Sequence, residues 1–176
     1  MRRTTLIPIA VGAVSITALG LASAVEFAPR IVWNASASAP IGLYRIEKRP
    51  PKISDFVLVK PDAVLEEFIT DRDYLPPEVP LLKRVAALSG ARICREESAI
   101  FIDGRHVADA LFIDSLGREM PVWNGCFTLK AGECFLLNVP EKSLDGRYFG
   151  TTNASEIVGV ATPVWVSTDV PNYAPS

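Results

Sequence analysis

Residues 4–25 carry no charged side chain, and Arg2 and Arg3 stand directly in front of them. As a helix, such a run would measure roughly 33 Å at about 1.5 Å per residue, enough for a hydrocarbon core of about 30 Å. The two arginines favour an N-terminus held in the cytoplasm and export of everything that follows. Ala22-Ser23-Ala24 has the small-x-small form of a cleavage site, so a removable leader fits the same residues. Either way, residues 1–30 act as signal peptide or membrane anchor, and residues 31–176 must fold outside the cytoplasm as one periplasmic domain.

Within that domain, 14 prolines and 11 glycines punctuate the chain, which suits short strands and turns better than a helical bundle. Residues 31–34 and 42–46 read as strands around a Ser/Pro turn, and 56–59 as a buried strand ending at Pro61. Residues 62–73 place Val64, Leu65, Phe68 and Ile69 at helical spacing, with Asp62 as cap and Pro76-Pro77 as stop. From residue 81 the pattern is β, with a hairpin of residues 99–102 and 105–107 across Asp103-Gly104. Residues 126–129 and 134–139 flank a turn at 130–133, and residues 157–166 form a long apolar strand interrupted at Pro163. The expectation is a mainly β domain, a folded sheet or small barrel with one or two short helices, preceded by an N-terminal apolar helix. No period of about 20 to 50 residues recurs, which excludes a solenoid. The net charge of -2, with no block of Lys or Arg, argues against nucleic acid as a partner.

Three cysteines, Cys94, Cys126 and Cys134, meet an oxidising compartment, and one disulfide plus one free thiol is the simplest arithmetic. There is one histidine and no Cys-x-x-Cys, so no metal or other cofactor is expected.

Ser38 lies in a run of small residues just before Pro40 and Gly42, a setting in which a substrate backbone can approach a hydroxyl. A serine attacks only beside a base. The single histidine, His106, sits just past the Asp103-Gly104 turn and reads as a surface side chain without an acid partner. Lysine is the other base that serves serine. If residues 81–89 form a strand, Lys83 shares a face with Leu81, Val85 and Ala87, where lost hydration lowers an ammonium pKa. An ordinary lysine near about 10.4 needs a shift of about 3 units to work at neutral pH, within reach of a buried group. A lysine that buries its stem and wets its head fits the same pattern, and a short helix between Pro80 and Gly90 is the other local option. The Ser38 backbone N–H and the Ser36 hydroxyl are candidate oxyanion donors. Asp145 and Arg147, flanking Gly146, read either as a turn with a solvated ion pair or as a brace for the base.

Three segments in order, Ser36-Ala37-Ser38-Ala39-Pro40, Leu82-Lys83-Arg84-Val85 and Ser143-Leu144-Asp145-Gly146-Arg147-Tyr148, resemble the type I signal peptidases. The Ser-x-Pro-x-Gly-Leu-Tyr segment, and Gly117 to Trp123 as Gly-Arg-x-x-Pro-x-Trp, are closest to the conjugal-transfer, TraF-type branch of that family. The similarity spans roughly residues 32–166. It implies Ser38 as nucleophile, Lys83 as general base, Ser36 as an oxyanion aid, Asp145 as an important acid and Arg147 as its structural companion. The same resemblance implies a Cys94–Cys126 disulfide that leaves Cys134 over. Two departures from the general family, Ala39 in place of Met and Leu137-Asn138-Val139-Pro140 in place of Gly-Asp-Asn, favour the conjugal branch. Its members mature the pilin subunit of a mating pore, and some join the new ends into a ring. The implied partners are a pilin precursor, other conjugal transfer proteins of the mating pore and the inner membrane surface. The distance from residue 26 to residue 38, at most about 40 Å of extended chain, keeps the nucleophile near that surface if the anchor stays attached. The rival expectations are a non-enzymatic periplasmic scaffold for pilus assembly and a general signal peptidase.

Overall fold

The structure, a computed structural model, describes residues 11–12, 14–17 and 30–167. The expected leader or anchor over residues 1–30 therefore lies almost wholly outside the described residues. Residues 11–12 and 14–17 are helical, and no described helix is long and apolar enough to cross a membrane.

Strands β1 (Ile31–Asn34), β2 (Gly42–Glu47) and β3 (Phe56–Val59) precede helix α1 (Ala63–Asp71). Five strands follow: β4 (Leu81–Leu88), β5 (Arg92–Glu96), β6 (Ala99–Ile102), β7 (Arg105–Asp109) and β8 (Gly125–Thr128). The chain continues through β9 (Glu133–Leu136), the short helix α2 (Gly146–Phe149), β10 (Thr151–Asn153) and β11 (Ile157–Val166). Two sheets result, one of seven strands in the order β1-β2-β11-β3-β4-β9-β10 and one of four in the order β7-β6-β5-β8. The domain is mainly β.

The large sheet is built around continuous apolar runs. β3 and β11 bury Val57, Leu58, Val59, Val160 and Ala161, as central strands covered on both faces do. Helix α1 covers part of this sheet and packs Leu65, Phe68 and Ile69 against Val57, Val59 and Leu136. Its first turn is closed by Asp62, whose carboxylate accepts from the Leu65 N–H at 2.8 Å. Burying Ile69 contributes about 2 kcal/mol on area grounds. In the small sheet, the β6–β7 turn puts Asp103 and Gly104 at φ of 50° and 79°, the doubly left-handed geometry that Asp-Gly favours. Cys94 and Cys126 face each other across β5 and β8, joined with an S–S distance of 2.07 Å and Cα atoms 4.1 Å apart. Cys134 is a buried free thiol, pushed up to about 11 by desolvation.

The strands flanking residues 130–133 go to different sheets: β8 joins the small sheet through β5, and β9 joins the large one through β4. Two local expectations are corrected. Pro163 does not interrupt β11. It falls past Ala161, where pairing to β3 has ended, and the register against β2 slips between Pro163 and Trp165. A proline is tolerated there because the β3 side of the strand has become an edge, with β2 as the one remaining neighbour. His106 does have an acid neighbour, Asp109 at 3.2 Å, but both side chains are half exposed.

Candidate active site

The serine loop hangs between β1 and β2, and one side chain holds it. Asn34, buried at the end of β1, donates from Nδ2 to the carbonyls of Ser36, Ala39 and Pro40 at 2.9, 3.1 and 3.0 Å. Its Oδ1 accepts from the Ser36 N–H at 3.1 Å. The Tyr44 hydroxyl adds a 2.6 Å bond to the Pro40 carbonyl. Gly42 closes the loop at φ +152°, and a Cβ there would run into the Trp165 carbonyl of β11. Within the loop, the Ser36 and Ser38 hydroxyls lie 2.9 Å apart, and the Ser38 N–H donates to Ser36 Oγ at 3.3 Å. Both groups assigned to an oxyanion are thus engaged with each other here, and an incoming carbonyl would have to replace that contact.

Lys83 projects from β4 opposite Val57 of β3 and is only 4% exposed. Leu81, Val85 and Ala87, its companions on that face, are buried as well. Burial lowers its pKa from 10.5 to about 8; Asp145 pulls it back up and Arg147 pushes it down. At pH 7 about one amine in ten would then be neutral, against about one in three thousand for the unperturbed group. Lys83 Nζ donates to Ser143 Oγ at 3.1 Å. The ammonium therefore sits neither in solvent nor in a direct ion pair.

The solvated-pair alternative for Asp145 and Arg147 is overturned, since the two side chains are 0% and 2% exposed. Asp145 accepts from the Asn138 N–H at 3.0 Å, the Arg147 N–H at 3.2 Å and Arg147 Nη1 at 3.2 Å. Burial still pushes its carboxyl up, against the pull of Arg147 and Lys83. Arg147 also donates to the carbonyls of Asn138 and Pro140. The small sheet and the segment leading into it clamp this stretch from behind: Arg95 on β5 donates to the Arg147 carbonyl at 2.7 Å, and the indole of Trp123, just before β8, donates to the Gly146 carbonyl at 3.2 Å. Gly146 itself is required by close approach, because a Cβ would sit 2.7 Å from the Phe135 ring and 2.8 Å from the Leu136 carbonyl.

Ser36, Ser38, Lys83 and Ser143 all line one cleft of about 760 Å³, whose other walls are largely apolar. Asp145 and Arg147 stand behind Lys83 rather than in the cleft, and the Cys94–Cys126 bridge belongs to the small sheet. Three polar side chains at the site were not singled out from sequence: Asn34, Ser143 and Asn138. Asn138 accepts from the Arg84 N–H at 2.8 Å and donates to the Leu82 carbonyl at 3.1 Å, so it brackets Lys83 along the strand. The available signal was position: an asparagine directly before the Ser-Pro turn, and another inside the stretch that replaces Gly-Asp-Asn.

A mainly β domain whose cleft carries a serine pair and a desolvated lysine falls in the class of peptidase-like domains. The chain belongs to the signal peptidase family, peptidase S26, whose sequence profile matches residues 3–166. It is 36% identical over 144 residues to the conjugal transfer protein TraF of Agrobacterium fabrum, covering 75% of this chain and 80% of that one. It is 31% identical over 142 residues to a plasmid transfer protein TraF of Escherichia coli, covering 74% and 80%. A probable conjugal transfer protein TraF of Sinorhizobium fredii is 33% identical over 172 residues, covering 89% of each chain. Among solved structures, a signal peptidase I from Enterococcus faecalis aligns with a TM-score of 0.38 at 16% identity, covering 64% of this chain and 97% of that one. By its family profile and these relatives, the chain carries a signal-peptidase S26 domain similar to TraF conjugal transfer proteins.

Proposed function

We propose that the chain is an exported serine endopeptidase with a Ser38/Lys83 dyad, and that it processes the pilin precursor of a conjugal mating pore. The observation that carries this reading is the state of Lys83: buried, lowered to about 8 and lining the same cleft as Ser38. Substrate binding turns the Ser38 hydroxyl from Ser36 toward the amine. Neutral Lys83 takes the hydroxyl proton as Oγ attacks the scissile carbonyl, and the oxyanion is held by the Ser38 N–H and the Ser36 hydroxyl. Lys83 then returns the proton to the leaving amine as the C–N bond breaks, which leaves an ester on Ser38. Ser143 orients the lysine, and Asp145 with Arg147 sets its charge. Water resolves the ester to a free carboxylate. An N-terminal amine of the same pilin, held close, resolves it to a ring instead.

The apolar run at residues 4–25 and the kinship with conjugal transfer proteins support a periplasmic, membrane-adjacent setting and partners within the mating pore. Co-expression with the cognate pilin precursor, followed by intact mass of the product, tests the reading. A trimmed pilin, or one lighter by a further water, is expected with the unaltered chain and not with Ser38→Ala. A precursor left whole, or trimming that survives Ser38→Ala, would remove the assignment.

A further inference from the structure

The cleft does not end at the serine and lysine. Residues 111–120, between β7 and β8, fold into a tight antiparallel arm, with an Ile113–Glu119 bridge and a Met120 N–H bond to the Phe112 carbonyl at 2.9 Å. Asp114 organises it with four donors. The N–H groups of Leu116 and Arg118 each reach the carboxylate at 2.9 Å, Arg118 Nε at 2.7 Å and the Tyr74 hydroxyl at 2.6 Å. The Tyr74 bond ties the arm to the segment between α1 and β4. Two further bonds reinforce it, from Arg118 Nη2 to the Arg72 carbonyl at 3.2 Å and from Arg72 Nη1 to the Glu119 carbonyl at 2.8 Å. At the base, the Tyr148 hydroxyl accepts from the Leu111 N–H at 3.1 Å, and Tyr148 packs with Ala110 and Met120.

Leu111, Ile113 and Met120 of this arm line the cleft together with Leu75 and Val79, and the cleft runs without a break to Ser38 and Lys83. Acyl transfer at the serine needs room for one carbonyl and the side chains beside it. A volume of about 760 Å³ holds considerably more. Ile113 is 56% exposed although its backbone is fixed by the bonds above. Apolar side chains held rigidly open to water lose free energy unless something covers them. Asp114 and Ser115 also line this stretch, but the Asp114 carboxylate is taken up by its own four donors, so Leu111, Ile113 and Met120 are what the arm offers to an apolar side chain.

We propose that the arm forms a second specificity pocket, which takes a bulky apolar side chain of the substrate peptide away from the scissile bond. Asp114 and Tyr74 are its positioning residues. The inference rests on the peptidase reading for the identity of its occupant. Its test is equilibrium binding of alanine-based peptides carrying one leucine walked along the sequence, using the full chain with Ser38→Ala so that nothing is turned over. One position is expected at which leucine binds about tenfold or more tighter than alanine. Tyr74→Phe, Asp114→Ala and Ile113→Ala should each cut that ratio to about threefold or less; Ile113 is exposed, so its variant tests the pocket without threatening the fold. The inference is overturned if no position prefers leucine, or if the variants weaken leucine and alanine peptides in proportion. Cleavage of the same peptides by the unaltered chain separates the two readings. Preference without cleavage sinks the peptidase reading alone, and cleavage without preference sinks the arm alone.

Discussion

Replacing Lys83 by methionine should make the protein more stable at neutral pH while abolishing the proposed peptidase activity. Methionine has nearly the same length and flexibility and carries no charge. The lysine's pKa falls from 10.5 in the unfolded chain to about 8 in the fold, so between those values the unfolded chain holds more protons. Stability therefore rises with pH across that window, and the full penalty for burying the ammonium stands below pH 8. At pH 7 the linkage integral gives a penalty of about 3 kcal/mol. Methionine removes it but also loses the 3.1 Å bond to Ser143, worth about 1 kcal/mol. The net gain is about 2 kcal/mol at pH 7, or roughly 4–8 °C in Tm for a domain of this size. By pH 10 the penalty for lysine has fallen to about 1 kcal/mol, close to the worth of the lost bond, and the two proteins should unfold together. Urea titrations at both pH values measure this directly. A variant less stable at pH 7, or a difference that ignores pH, would mean that the ammonium is not desolvated and that Lys83 is not poised as a base.

Other consequences follow from the same geometry. kcat/KM should rise with pH through an acid limb near 8, set by Lys83, and Asp145→Asn should move that limb to lower pH, because the carboxylate is what pulls the lysine up. The same substitution should cost about 3–5 kcal/mol in urea unfolding, since Arg147 is left as a buried cation without its partner. Asn34→Ala strips the donor from three carbonyls of the serine loop, so a loss of about 2–3 kcal/mol and a fall in kcat larger than any change in KM are expected. Replacing both Cys94 and Cys126 by alanine opens a link across a sequence separation of 32, worth about 3–4 kcal/mol on chain-entropy grounds. Comparison of the unfolding midpoints with and without the bridge checks it.

Strands, the α1 cap and the Asp103-Gly104 turn could be read from the sequence because each depends on a few adjacent residues. Asp62 needs only its own carboxylate and the N–H of Leu65. The parting of β8 and β9 into different sheets could not be read that way. The turn at 130–133 reverses the chain equally well in either case, and the choice is made by distant partners, Cys94 for one strand and Val85 for the other. The same limit applied at the site. The apolar face around Lys83 was visible in the alternation of residues 81–87, but burial of Asp145 and Arg147 depends on Arg95 of β5 and on Trp123 just before β8, both distant in sequence. A window of five residues around Gly146 holds no trace of them. Ser143, Asn34 and Asn138 escaped for a related reason: one polar residue in a loop is ambiguous until its partners are known.

The position of Lys83 on β4 explains how a charged residue can be kept both buried and usable. β9 pairs with β4 only from Val85 onward, so residues 81–84 have β3 on one side and no strand on the other. The exposed backbone groups on that side, the Leu82 carbonyl and the Arg84 N–H, are taken up by Asn138 instead. This satisfies the strand edge with one side chain and leaves the room that a neighbouring strand would fill. Asn138 is in turn held by Asp145 through its N–H and by Arg147 through its carbonyl. Arg147 therefore has two effects that act together. It fixes the edge beside Lys83, and by engaging Asp145 it keeps the carboxylate from becoming the lysine's own counter-ion. A chain without that guanidinium would leave Asp145 free to bind the ammonium, and a lysine held in such a pair would stay protonated at neutral pH, where the proposed dyad calls for a neutral amine.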